Sequence, residues 1–166
     1  MDGLRLMARR GGTARHFIDL GIPRICRALQ AARERRGLNM TELAERARID
    51  PWTVRKFEDP QRFGEPQLAA FCKLAGTLGL RLDGLFAVPA TAVPIPPGTA
   101  DPIGWILQQR GWTMHQLGEQ AGLSHNTIPQ VASGKARADL LTCEAIARAA
   151  GVSLDSLAAA LLAGEK

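Results

Sequence analysis

The sequence of 166 residues contains no tyrosine, and aromatic residues make up only 5% of it. Without tyrosine, the chain lacks the nucleophile of the tyrosine recombinases. Its few serines fit helix caps and helix ends rather than a nucleophile with a base beside it, and no glycine-rich phosphate loop is present. We therefore expect a protein without catalytic activity.

Cysteine is also scarce, and its pattern argues against two kinds of site. Cys26, Cys72 and Cys143 are odd in number, far apart and never in a CxxC pair, so the sequence indicates neither a disulfide framework nor a thiolate metal site. The three histidines lie in separate segments without the spacing of metal ligands. We expect no metal and no cofactor, and a reduced compartment fits these thiols.

Long apolar runs are missing as well. The start of the chain has no apolar signal region, and the apolar stretch near the C-terminus is far shorter than the ~20 residues of a membrane span. We therefore expect a cytoplasmic protein that is not inserted in a membrane.

Charge is distributed unevenly along the chain. Residues 1–88 hold 16 basic and 10 acidic residues, for a net charge of +6, whereas residues 89–166 hold 5 and 6, for a net charge of −1. A basic half suggests a polyanionic partner, with nucleic acid ahead of an anionic membrane surface. The alternative is a basic surface that serves only solubility.

The stretch TMHQLGEQAGLSHNTIPQVASG, residues 113–134, has the pattern of two short helices joined by a tight turn. Thr113 and Gln116 form a capping box that starts the first helix. Gly122 supplies the positive φ of a sharp turn, and Ser124 caps the second helix. This pattern predicts a helix-turn-helix motif whose second helix is the recognition helix.

The same pattern occurs earlier in the chain, and its positions match those of the later stretch at one constant offset. Asn39 and Glu42 form the equivalent capping box, and Asp50 followed by Pro51 gives an N-cap with a first-turn proline. Flanking helical patterns also occur in both copies, and those at the end of each copy recur at a slightly shorter offset. The sequence therefore predicts an internal repeat of two five-helix units.

These patterns divide the chain into four parts. We expect an N-terminal arm at residues 1–21, a first helix-turn-helix domain at 22–87, a Pro-rich linker at 88–101 and a second helix-turn-helix domain at 102–166. The linker is almost without charge and should be semi-rigid, with a reach of at most roughly 45 Å in polyproline II. The arm could contact phosphates, pair with another subunit or be mobile.

Each copy resembles the phage repressor and Cro-like helix-turn-helix family, also called the XRE family. The best-matched stretches are GLNMTELAERA and GWTMHQLGEQAGLSHNTI. The resemblance implies an all-α fold of two lambda-repressor-like five-helix DNA-binding domains joined by the linker. It also implies a sequence-specific, repressor-like transcriptional regulator that binds double-stranded DNA. A homodimer, a protein-interaction module and an antitoxin with a toxin partner remain open alternatives.

The resemblance also implies which side chains contact DNA. In this family, residues at the start of the recognition helix and one turn later meet base edges, and the side chains implied here are Trp52, Lys56, His125, Asn126 and Gln130. The family's frequent glutamine at the start of helix two, which positions a phosphate, is methionine in both copies. Phosphate contacts would then come from helix N–H groups and from Arg55, Arg62, Lys135 and Arg137.

Side-chain chemistry and net charge favour different copies. Asn126 and Gln130 can bond adenine bidentately and His125 can donate to guanine, whereas Pro51 offers no hydrogen-bond pattern. The net charge instead favours the first copy. Trp52 is explained equally well by packing or by contact with a protein, and polar residues on the recognition helix also fit an ordinary solvated face. The sequence leaves the choice between the copies open.

Three residues carry specific structural expectations. Arg48 occupies the turn position that Gly122 fills in the second copy, at a cost of ~1 kcal/mol if its φ is positive. Pro129 lies at the fifth position of the recognition helix, where it should remove a hydrogen bond and bend the helix. Arg33 is expected on the solvated face of the first helix.

Overall fold

The chain forms ten α-helices and no β-strand between residues 21 and 165, the part that this computed structural model describes. The all-α expectation is confirmed, while the expected arm at residues 1–21 lies outside the described residues except for Gly21. No helix in this range is long and apolar enough to cross a bilayer. The helices are α1 (Ile22–Arg35), α2 (Met40–Ala47), α3 (Pro51–Glu58), α4 (Leu68–Thr77), α5 (Leu82–Leu85), α6 (Pro102–Arg110), α7 (Met114–Ala121), α8 (Thr127–Ala132), α9 (Leu140–Ala150) and α10 (Leu154–Ala163).

Capping boxes start α2 and α7 where the sequence predicts them. The Asn39 side chain accepts from the Glu42 N–H at 2.9 Å, and the Glu42 carboxylate accepts from the Asn39 N–H at 2.8 Å. Thr113 and Gln116 make the same exchange before α7, at 3.2 and 2.9 Å. Both capping boxes are confirmed, and each depends only on residues three positions apart.

The turn from α2 to α3 and the turn from α7 to α8 both begin with a residue in the left-handed conformation. Arg48 has a φ of 55° and a ψ of 48°, and Gly122 has a φ of 65° and a ψ of 29°. Asp50 then caps α3 by accepting from the Thr53 N–H at 2.9 Å. Arg48 therefore adopts the left-handed conformation, and the condition for a strained first turn is met.

The recognition helix of the second half begins later than the sequence predicts. It starts at Thr127, so His125 and Asn126 lie in the turn before α8. Pro129 has no N–H to donate to the carbonyl of His125, so the helical bond that would include His125 cannot form. Pro129 becomes the third residue of α8, where an N–H has no helical partner anyway. A late helix start thus replaces the expected bend.

Arg33 is buried, and the expectation that it lies on the solvated face of α1 is wrong. Its guanidinium donates to both carboxylate oxygens of Glu58, at 2.7 and 2.8 Å, and to the backbone oxygen of Leu38 at 2.9 Å. The hydrogen bond with Glu58 raises the pKa of Arg33 further. The ion pair joins α1 to the C-terminal end of α3.

The apolar core continues through both halves of the described chain. Side chains from α1–α5 and from α6–α10 belong to one hydrophobic cluster. The last two helices of each half make the contact, because α4 packs against α9 and α10, and α5 packs against α10. The two halves of the described chain are therefore packed together.

The proline-rich segment 88–101 is docked on the second half. Val93 donates its N–H to the oxygen of Gly151 and accepts from the N–H of Ser153, both at 2.9 Å. Ile95 is buried, and its N–H donates to a serine hydroxyl on α10 at 2.9 Å. Segment 88–101 therefore does not extend freely toward its maximum reach of roughly 45 Å, because the turn between α9 and α10 offers it backbone partners.

Candidate nucleic-acid interface

The outer face of α3 presents three of the predicted DNA-contacting side chains. Val54 and Phe57 are buried in the core, and this determines which face of the helix points outward. Trp52 is 56% exposed, Arg55 is exposed and Lys56 is half-buried. One aromatic ring and two cations thus lie on α3 of the first half.

Arg62 lies in the loop after α3 and contacts Trp52. Its guanidinium carbon is 5.1 Å from the centroid of the tryptophan ring, which is a cation–π distance. Its Nε lies 3.3 Å from Oδ2 of Asp59. Arg62, predicted to contact phosphate, therefore already has two partners within the chain. A guanidinium has five N–H donors, so these contacts leave donors for a phosphate oxygen.

The second predicted group lies at the start of α8. Ile128 and Val131 are buried and hold α8 against the core. Gln130 is exposed on the helix, while His125 and Asn126 are exposed in the turn that precedes it. The three side chains predicted to read bases are therefore all on the surface, but only Gln130 belongs to the helix itself.

The phosphate candidates of the second half follow α8 in the chain. Lys135 and Arg137 are both exposed in the segment between α8 and α9. The N–H of Ala136 donates to the backbone oxygen of Gln130 at 3.2 Å, which folds this segment back on the helix. Lys135 is thereby held next to the C-terminal end of α8.

Sequence reasoning missed two further cations beside α3. Arg46 and Arg48 are exposed at the end of α2 and in the turn that follows it. Their position was the available signal, since Arg46 lies in the last turn of α2 and Arg48 is the first residue of the turn that follows. Together with Arg55 and Lys56 they give α2, α3 and the turn between them four cations that are at least partly exposed, although the exposed Glu45 on α2 offsets part of the charge.

The ionisable groups in and near these surfaces have distinct environments. The hydrogen bond from the Thr53 side chain lowers the pKa of Asp50, so the carboxylate that caps α3 stays charged. Burial raises the pKa of Cys26 to about 12 and that of Cys72 to about 11, and raises the pKa of Cys143 well above its ordinary value. The three thiols are therefore protonated at neutral pH and are weak nucleophiles.

Comparison with known proteins identifies one part of the chain. Residues 103–157 match a family model described as helix-turn-helix. This segment, which contains α7, α8 and α9, is an XRE-type helix-turn-helix domain, and the prediction of such a domain in the second half is confirmed. The match does not cover residues 22–87. No curated protein and no solved structure matches the chain.

Proposed function

We propose that this chain is a sequence-specific transcriptional regulator that binds double-stranded DNA and acts as a repressor. The helix-turn-helix domain at residues 103–157 supports DNA binding. The observation that carries the proposal is the exposure of His125, Asn126 and Gln130 at the start of the recognition helix of that domain. Asparagine and glutamine side chains can each form two hydrogen bonds with adenine in the major groove.

We further propose that residues 22–87 form a second domain of the same kind, joined by segment 88–101 to the domain at 102–166. Both halves have five helices in matching order. In both, a capping box precedes the second helix and a left-handed residue follows it. The excess of basic residues in the first half, with Arg55 and Lys56 on its recognition helix, supports contact with DNA phosphates.

In this proposal the chain acts by occupying its site. Exposed cations such as Arg55, Lys135 and Arg137 neutralise phosphates and make the affinity depend on salt. The side chains at the start of the recognition helices supply sequence preference. Bound protein then blocks other factors at the same DNA. The mechanism has no catalytic step and needs no cofactor.

The proposal is tested by changing one residue from each class of contact. A preferred duplex is selected from a random DNA pool, and fluorescence anisotropy then measures binding to it and to a scrambled duplex at several salt concentrations. Asn126→Ala should cost ~1–3 kcal/mol on the preferred duplex and little on the scrambled one, because it removes base contacts. Arg55→Ala should weaken binding to both duplexes and reduce the salt slope by about one.

Gln108→Ala, on the exposed face of α6, is the matched control and should leave both affinities unchanged. If Asn126→Ala binds the preferred duplex as tightly as the unaltered chain, the start of α8 does not read bases, and the proposal for the second half is wrong.

A second candidate function is protein binding by the first half. Trp52 is 56% exposed and has Arg62 on its ring face. Tryptophan and arginine are enriched among the residues that dominate binding energy at protein interfaces. An antitoxin would combine such an interface with DNA binding by the second half. In that case Trp52→Ala should abolish capture of a co-purifying toxin and leave DNA affinity unchanged, whereas a loss of DNA affinity would favour DNA contact by α3.

A further inference from the structure

The N-terminal ends of α5 and α10 meet, and each is capped by a carboxylate from the other helix. Asp83 on α5 accepts from the backbone N–H groups of Leu154 and Asp155, at 2.7 and 3.2 Å. Asp155 on α10 accepts from the backbone N–H groups of Leu82 and Asp83, at 2.9 and 3.0 Å. N–H groups in the first turn of a helix have no partner within that helix, so this exchange satisfies both helix starts.

The exchange is reciprocal between equivalent residues. Asp83 corresponds to Asp155 and Leu82 corresponds to Leu154, because one offset along the sequence relates the closing helices of the two halves. Asp83 therefore caps the helix of the second half in the same way as Asp155 caps the helix of the first half. That is the property of a two-fold interface, in which a surface patch meets its own copy.

A second pair of equivalent residues meets in the same way. Gln67 before α4 and Asp139 before α9 are related by the same offset as Asp83 and Asp155, and they oppose each other in an isolated antiparallel bridge. Beside this pair, the N–H of Leu140 donates to the oxygen of Pro66 at 2.9 Å. Two separate contacts thus define one approximate two-fold axis, which passes between α4 and α9 and between α5 and α10.

Packing also holds the two halves in this arrangement. The side chains of Asp83 and Asp155 are only 21% and 29% exposed, so solvent competes weakly for their hydrogen bonds. Next to them, α10 packs against α4, and segment 88–101 is bonded to the turn between α9 and α10. A flexible tether would allow α3 and α8 many separations, whereas the docked halves hold them at one.

We infer that one chain binds a single DNA duplex that contains two unlike half-sites, in inverted orientation and at one fixed spacing. This inference rests on the proposed function and defines its target. When two binding units are related by a two-fold axis, that axis coincides with a two-fold axis of the bound duplex. The two half-sites then run in opposite orientations. The half-sites differ because Trp52 and Lys56 in the first half occupy the positions of Asn126 and Gln130 in the second.

The test uses the full chain and the duplexes selected for it from a random pool. The two half-sites are rebuilt as inverted and as direct repeats, the spacing is changed one base pair at a time, and the dissociation constant and mass of each complex are measured. One inverted arrangement should bind one chain with the highest affinity. A shift of about 5 base pairs, half a helical turn, should weaken binding about 100-fold, because only one unit can then bind.

Variants of the two carboxylates test the origin of the fixed spacing. A variant with both Asp83→Ala and Asp155→Ala lacks the exchanged caps but keeps the packing of α4 against α9 and α10, so its preference for one spacing should be smaller than that of the unaltered chain. Asp101→Ala is the matched control, because Asp101 caps α6 within the second half by accepting from the Gly104 N–H at 2.8 Å. This control should keep the full preference for one spacing. If the double variant does not fold, the spacing series with the unaltered chain still decides the inference.

The outcomes separate this inference from the proposed function. A preference for direct repeats, equal affinity across all spacings, or two chains on each duplex would overturn the inference and leave sequence-specific DNA binding intact. A random pool that yields no preferred sequence would instead overturn the proposed function, and the inference with it.

Discussion

Arg48 and Gly122 occupy equivalent turns, but only Arg48 carries a Cβ in the left-handed conformation. That conformation costs a residue other than glycine roughly 1–2 kcal/mol. The greater backbone freedom of glycine in the unfolded chain offsets about 0.5–1 kcal/mol of any gain. Arg48→Gly should therefore raise the free energy of unfolding by about 0.5–1 kcal/mol. Urea denaturation of the full chain, followed by circular dichroism, measures the change.

Two further variants separate backbone strain from loss of the side chain. Arg48→Ala removes the charge and keeps the Cβ, so it should leave stability nearly unchanged. Gly122→Ala should lower the free energy of unfolding by about 1 kcal/mol, because no atom lies within 4 Å of an added Cβ and the positive φ alone opposes it. If Arg48→Gly has the stability of the unaltered chain, the strain in the first turn is no larger than the roughly 0.5–1 kcal/mol that the freedom of glycine in the unfolded chain offsets.

At the scale of the element, Pro129 determines where α8 begins. Alanine there would supply the missing N–H, so the carbonyl of His125 could accept a helical bond. We expect Pro129→Ala to lengthen α8 toward Ser124, with the Cα chemical shifts of His125 and Asn126 moving to helical values. A hydrogen bond contributes about 0.5–1.5 kcal/mol. The freer unfolded chain opposes this with about 0.4–1 kcal/mol, so the free energy of unfolding should change by less than ~1 kcal/mol.

Gln130→Ala, one position further along α8, is the control, and it should leave the start of the helix where it is. Nuclear magnetic resonance of both variants measures the chemical shifts, and urea denaturation measures the stability. A loss of more than ~2 kcal/mol in Pro129→Ala would show that the surrounding packing requires the late start.

The sequence predicted well those elements that are determined by residues close together along the chain. The capping boxes at Asn39 and Thr113 depend on a partner three positions away, and a helical pattern contains that information. Arg33 could not be placed in this way, because its partner Glu58 lies 25 residues further along the chain. The docking of segment 88–101 likewise depends on backbone groups after α9, and its proline content favoured an extended tether instead.

The candidate interface was predictable to a similar degree. Helical periodicity separated inward residues from outward ones, so Trp52 and Gln130 are exposed as expected. Periodicity ends with the helix, and Arg62 lies beyond that end, in a loop. Its return to the ring of Trp52 is therefore a tertiary contact without a sequence signal. The sequence placed the start of α8 too early, because Pro129 has no N–H to donate to the carbonyl of His125, four positions before it.

For the whole molecule, the main consequence is that the two halves share one core. Helices α4 and α5 of the first half pack against α9 and α10 of the second, and Asp83 and Asp155 exchange caps across the same contact. Disruption of the first half should therefore destabilise the second. The tryptophans can report this effect, because Trp52 is the only one in the first half and the other two, Trp105 and Trp112, lie in the second.

Leu29→Ala tests whether the halves unfold as one unit. Leu29 is fully buried in α1, so its truncation should lower the free energy of unfolding by about 2–5 kcal/mol. In a Trp52→Phe background all tryptophan fluorescence comes from the second half. Because the halves share a core, the unfolding midpoint measured by this fluorescence should shift to a lower urea concentration, together with the midpoint measured by far-ultraviolet circular dichroism, in one transition.

Gln30→Ala, at an exposed position of the same helix, is the control and should leave the midpoint unchanged. If fluorescence keeps its original midpoint while circular dichroism becomes biphasic, the halves are independent domains and their interface is too weak to fix the distance between α3 and α8.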